Sequence, residues 1–143
     1  PVDELFSLTN DKYAVMCVQH DYNPTGETKM DGRLQSIYPR KNWSSLVLWN
    51  CGHPSNKKVT KELVNDPSTT GKYLHRFSWL EDHEIGKVNH EWNWLVGWYD
   101  ESKDGYPKAI HYTEGGPWFP EYRFCDFHEI WKKNLIEMIN TKV

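Results

Sequence analysis

Tyr13-Ala14-Val15-Met16-Cys17-Val18 is an unbroken apolar run with no polar residue alternating into it. Such a run reads as a strand buried on both faces, so other elements must cover it above and below. That requirement selects a layered α/β chain. Leu46-Val47-Leu48-Trp49 is a second run of the same kind, closed by Asn50-Cys51-Gly52-His53-Pro54. Near the other end, Phe127, Ile130, Trp131, Leu135, Met138 and Ile139 recur at helical spacing and predict a helix that lays one face on the core. Asp126, with Glu129 three residues on, has the pattern of a capping box for it.

The intervening segments are read from their breakers and caps. Pro1 to Leu8 forms a short helical turn, with proline and acids where a helix N-terminus favours them. His20 to Asn42 has no period and reads as a long, mildly basic loop. Ser55 can cap a helix running to about Asn65, which Asp66-Pro67 stops. Leu80 to Val88 is helical or turn-like, Trp92, Trp94 and Trp98 mark an extended segment, and Asp100 to Pro107 is a polar turn. Ala109 to Thr113 is a strand running into Glu114-Gly115-Gly116-Pro117-Trp118. There is no internal repeat, low-complexity tract or linker, and 143 residues suit one domain, residues 1–143.

Charge narrows the function classes. The net charge is -3, which does not suggest a nucleic-acid binder. Eight Trp, eight Tyr and five Phe give a chain rich in rings that suit cores and the stacking faces of sugar sites alike. Three widely spaced cysteines point away from a disulfide framework and toward a reducing, cytoplasmic setting. No apolar run approaches membrane-spanning length.

Several constellations carry chemistry, each beside a plainer reading. Gly115-Gly116 lets backbone N–H groups approach a ligand and form an anion-binding concavity, or is simply a turn anchored by Trp118. His111, at the strand end, is a candidate metal ligand or proton carrier. Cys17, His20, Cys51 and His53 follow two strands, and the ends of adjacent strands can gather a zinc site; buried thiols and ordinary histidines are the plainer account. Glu81-Asp82-His83-Glu84 is either a solvated helix start or a carboxylate facing a cleft. Lys29, Arg33, Arg40 and Lys41, interleaved with Tyr38 and Trp43, line an anion groove or a solvated loop. No phosphate-binding loop, dinucleotide fingerprint or nucleophile elbow occurs.

Four segments taken in order carry a resemblance. They are Tyr38-Pro39-Arg40-Lys41-Asn42-Trp43-Ser44-Ser45-Leu46-Val47-Leu48-Trp49-Asn50-Cys51, Leu80-Glu81-Asp82-His83-Glu84-Ile85-Gly86, Glu91-Trp92-Asn93-Trp94-Leu95-Val96-Gly97 and Ile110-His111-Tyr112-Thr113-Glu114-Gly115-Gly116-Pro117-Trp118. Together they resemble nucleotide-sugar glycosyltransferases of the GT-A fold, in the glycogenin-like, galactosyltransferase-type branch. The resemblance spans nearly the whole chain and corresponds to the part that follows that family's Asp-x-Asp motif. It implies a partial GT-A-like mixed sheet with flanking helices, and transfer of a sugar from a nucleotide-diphosphate donor to a glycan or other hydroxyl acceptor.

Roles follow residue by residue. Trp43, Ser44, Ser45 and Asn50 match the stretch entering a core strand near the donor and acceptor sugars. Asp82 and His83 match an Asp-Gln pair beside the reacting sugar, making Asp82, with Glu81, the catalytic candidates. Trp92 and Asn93 match a Trp-Asn segment, and His111 matches the late histidine that holds Mn2+ or Mg2+ with the motif's acids. Gly115, Gly116 and Trp118 match the loop at the donor diphosphate. Two departures stand out: Gly116 precedes Pro117 where the family often has a phosphate-binding lysine, and no Asp-x-Asp occurs. Pro1 to Phe6 resembles the segment just after that motif, which implies a nucleotide-binding half upstream and metal ligands outside this chain. A sheet cut there exposes an edge, which implies a homodimer. The alternative function is a non-catalytic carbohydrate-binding or scaffold domain derived from the fold.

Overall fold

The computed structural model describes residues 2–23, 28–29 and 32–141. They divide into two compact units, one of residues 1–23 and 37–92, the other of residues 24–36 and 93–143. Pro1, and the Pro24-Thr25-Gly26 part of the long loop, lie outside the described residues.

The first unit is built on a three-stranded mixed sheet. Helix α1 (Val2–Phe6) precedes β1 (Val15–Cys17), which lies between β4 (Val47–Trp49) and β5 (Ile85–Lys87). β1 runs antiparallel to β4, with Val15 opposite Trp49, and parallel to β5, with Val15 opposite Ile85. Every residue of β1 is buried, as its unbroken apolar run requires of a central strand. Ala14, Val15, Cys17, Phe77, Trp79, Leu80 and Ile85 form the core, with Trp43, Val47, Val59, Tyr73 and Leu74 packed around it. Trp79 is the hub of the aromatic packing, its ring centroid 5.6 Å from that of Trp49, 5.8 Å from Phe77 and 6.0 Å from Tyr73.

The predicted helix from Ser55 to Asn65 is broken in two. A 3-10 segment covers Pro54–Lys58 with His53 as its cap, and α2 (Lys61–Asn65) starts afresh where Thr60 Oγ1 accepts the N–H of Leu63. Ser55 is drawn away from capping because its hydroxyl donates to Glu84. Helix α3 (Gly71–His75), capped by Thr70, is too short to show a period in the sequence. The Leu80–Val88 segment is turn-like only in its first half, Asp82–Glu84, and then becomes β5.

In the second unit, β2 (Thr28–Lys29) and β3 (Arg33–Leu34) pair antiparallel inside the segment read as a structureless loop. A ladder of two residues per strand is below what alternation can signal. The extended Trp92–Trp98 segment contains only β6 (Trp94–Leu95), which pairs in parallel with β7 (Ile110–His111). Asp100 caps α4 (Glu101–Asp104) by accepting the N–H of Ser102. Helix α5 (His128–Asn140) starts after Phe127, in the left-handed region at φ 60°, with no side-chain cap. Asp126 therefore does not cap it. No residue of α5 is buried: Ile130, Trp131 and Leu135 are half-covered, while Ile136, Met138 and Ile139 are exposed. The core of this unit is Trp94 and Leu95, with Tyr99 and Phe127 against the Trp94 ring. Among the described residues, no helix is long and apolar enough to cross a membrane.

Candidate functional site

The second unit brings together the features that can meet a phosphorylated ligand. Parallel pairing of β6 with β7 sets Leu95 opposite His111, and the His111 carbonyl accepts the N–H groups of Val96 and Thr113. The strand end is thereby fixed. The side chain is fixed as well: His111 Nδ1 lies 3.2 Å from Oδ1 of Asn93, a residue only 3% exposed. Facing an amide oxygen, the ring donates from Nδ1 and carries its lone pair on Nε2, the tautomer a metal ligand needs. Burial pushes the imidazole below its ordinary pKa, and the charge of Lys29 adds to the effect. His111 is held neutral, as metal coordination requires.

Glu114, Gly115 and Gly116 follow at once. Gly115 has φ 152°, and a Cβ there would lie 2.5 Å from the Tyr122 ring; at Gly116 it would lie 2.1 Å from the Trp118 ring. The positive φ and the Tyr122 ring favour glycine at 115, whereas a Cβ at 116 requires the half-exposed Trp118 ring to move aside. The backbone donors are another matter. Both residues are buried, and neither N–H finds an acceptor among the described residues. Buried amides without partners are rare, and consecutive backbone N–H groups of this kind can form a concavity that takes an anion. Trp118 is half exposed and held edge-on by Tyr112 at 5.8 Å, with Trp131 at 5.7 Å.

The remaining candidate residues lie in the first unit, mostly in structural roles. Arg40 donates to the carbonyls of Arg76, Phe77 and Leu80 and pairs with Asp82 at 2.6 Å, while the Asp82 side chain stays 89% exposed. Glu81 donates its N–H to Glu84 Oε2, and the Glu84 carboxyl is held below the usual range chiefly by its bond from Ser55. His83 is exposed. Asn50 is spent on its own loop, donating to the Asp11 and Tyr13 carbonyls and accepting from Gly52. Trp43 Nε1 donates to the His20 carbonyl, Ser45 to the Asn42 carbonyl, and Ser44 is half-buried. Trp92 is buried, so its face is not offered to a sugar.

Two sequence constellations come apart. The Cys17–His20 and Cys51–His53 pairs do follow adjacent strands, but β1 and β4 are antiparallel, which puts their C-terminal ends at opposite ends of the ladder. No group of three metal-ligating side chains exists among the described residues. Burial also pushes the Cys17 thiol up to about 12, against the pull of Arg40, which disfavours the thiolate a nucleophile needs at neutral pH. The four-cation groove divides as well. Arg40 is committed to carbonyls, and Lys41 is buried over the rings of Tyr22 and Tyr38, leaving Lys29 and Arg33 on the β2–β3 hairpin.

No family model matches the sequence, and no solved structure matches it. The chain is 52% identical over 139 residues to Protein CDI of Arabidopsis thaliana, an alignment covering 95% of this chain and 53% of that protein. The chain thus spans about half the length of the curated relative it matches.

Proposed function

We propose that the chain is the acceptor-side and metal-histidine portion of a GT-A-type glycosyltransferase that moves a sugar from a nucleotide-diphosphate donor to a hydroxyl acceptor. The observation that carries this reading is the pair of Gly115 and Gly116 amides, without acceptors among the described residues, four and five residues after a His111 oriented by Asn93. Donors preorganised in this way stabilise charge as it develops on a leaving diphosphate without reorganising during the reaction. His111 fits as one ligand of Mn2+, which accepts imidazole more readily than Mg2+ does. When bound, such a metal offsets charge on the leaving group. A full metal site needs further acidic ligands beside His111, and the described residues hold no such group.

Titration of this chain, and of a form extended upstream of Pro1, with UDP and Mn2+ tests the reading. The extended form is expected to bind UDP in a metal-dependent way, and His111→Ala to remove the metal dependence. Asn93→Ala should weaken metal binding by about 10- to 100-fold, as loss of an orienting partner does. If the extended form binds neither UDP nor Mn2+, the donor-site assignment is wrong.

One observation favours a second reading, a carbohydrate-binding domain that needs neither metal nor nucleotide. A cavity of about 290 Å³ in the first unit is lined by Asn10, Asp11, Tyr13, Trp49, Asn50 and Cys51 among others, with Trp49 42% exposed. An indole beside polar loops suits a sugar face. Binding of the isolated chain on a glycan array, reduced by Trp49→Ala, is the result expected of it; a silent array counts heavily against it.

A further inference from the structure

The β2–β3 hairpin sets Lys29 directly opposite Arg33. Cross-strand partners in an antiparallel pair project from the same face, and like charges so placed repel. Neither residue has a carboxylate partner among the described residues. A like-charged pair held in register, with no carboxylate partner among the described residues, is what a bound anion would relieve. The position of the hairpin adds to this: Gln35 Nε2, just after β3, donates to Glu114 Oε1 at 3.3 Å across 79 residues of sequence. That bond fastens the hairpin to the turn carrying the unpartnered Gly115 and Gly116 amides and turns the Glu114 carboxylate onto Gln35.

We propose that Lys29 and Arg33, juxtaposed on the β2–β3 hairpin, close over the Gly115–Gly116 amides as a two-cation clamp for a diphosphate group. The proposal rests on the donor-site reading above and names the residues that recognise the diphosphate. It also accounts for the glycine at position 116 where the resembling family often carries lysine: here the cations come from a different part of the chain. Arg presents a planar fork suited to two phosphate oxygens and Lys a compact charge, so the pair can hold both phosphoryl groups.

The test follows, by calorimetry, inorganic pyrophosphate in chelator on the full 143-residue chain and UDP with Mn2+ on the form extended upstream of Pro1. Pyrophosphate is expected to bind without metal, more tightly than orthophosphate. Lys29→Gln with Arg33→Gln should weaken it by at least about tenfold, the scale of losing charge-assisted hydrogen bonds. Lys57→Gln with Lys58→Gln, an equal charge change on exposed residues of the first unit, should leave it nearly unchanged. Arg33→Glu separates binding from folding: it turns the repulsive pair into an ion pair, so the melting temperature should hold or rise while pyrophosphate binding disappears. Equal losses in the hairpin and control variants, retained binding in Arg33→Glu, or no pyrophosphate binding by the unsubstituted chain would each overturn the clamp. Hairpin-dependent pyrophosphate binding, with no Mn2+ effect on UDP in the form extended upstream of Pro1, leaves the clamp standing and removes the metal assignment. Metal- and His111-dependent UDP binding that ignores the hairpin does the reverse.

Discussion

Replacing Asn56 by leucine is expected to destabilise the first unit by about 3 kcal/mol, although the two side chains have similar volumes. Asn56 is 7% exposed and uses every polar atom it has. Its Nδ2 donates to the carbonyls of Ala14 at 2.7 Å and Asn50 at 2.8 Å, and its Oδ1 accepts from Trp79 Nε1 at 3.1 Å. One amide therefore joins the entrance of β1, the exit of β4 and the hub of the core. The two carbonyls keep other donors, since Asn50 N–H reaches Ala14 O and His53 N–H reaches Asn50 O. The indole N–H of Trp79 keeps none, and an orphaned buried donor costs more than a lost bond to water. A double-mutant cycle with Trp79→Phe isolates this. Chemical denaturation should show the two substitutions to be less than additive by about 1–2 kcal/mol, because phenylalanine removes the donor that leucine strands. Strict additivity would mean that the bond contributes nothing and the cost is packing alone.

Asn56 also marks where the sequence stops being legible. The central strand was readable because burial on both faces leaves an unbroken apolar run, and the mixed α/β class followed from it. Asn56 sits in a polar stretch, Ser55-Asn56-Lys57-Lys58, that reads as the first turn of a helix and gives no sign of burial. Its partners lie up to 42 residues away, so no local pattern reports them. The same holds in the second unit. His111 was visible as a histidine at a strand end, but its orientation depends on Asn93, 18 residues earlier and brought alongside by a parallel pairing of two residues per strand. The link from Gln35 to Glu114 spans 79 residues and leaves no trace in either segment. The helix α5 shows the opposite failure. Its helical spacing was correctly seen, but periodicity says only which residues share a face, and Ile136, Met138 and Ile139 remain exposed.

The second large effect is expected at Arg40. Arg40→Met should cost the first unit about 3–5 kcal/mol, and Arg40→Lys more than half of that. The guanidinium is the main partner of a turn in an unfavourable conformation. Phe77 is buried with φ 51°, in the left-handed region that aromatic side chains rarely adopt, and Arg40 itself has φ 57°. One fork receives the carbonyls of Arg76 and Phe77, both at 2.8 Å, and that of Leu80 at 3.1 Å. Among the described residues no backbone N–H is bonded to the carbonyls of Arg76 or Leu80, so loss of the fork strands both. Lysine offers a point charge that cannot span three diverging carbonyls. The bond to Asp82 is the fourth and the most exposed, and surface pairs of this kind contribute little. Asp82→Asn should therefore melt within about 2 °C of the unsubstituted chain. That difference turns a stability measurement into a test of role. If Asp82 positions a sugar or an acceptor hydroxyl, Asp82→Asn reduces transfer in the extended form at unchanged melting temperature. If Asp82 only completes the Arg40 fork, its substitution leaves transfer intact, while Arg40→Met lowers transfer and stability together.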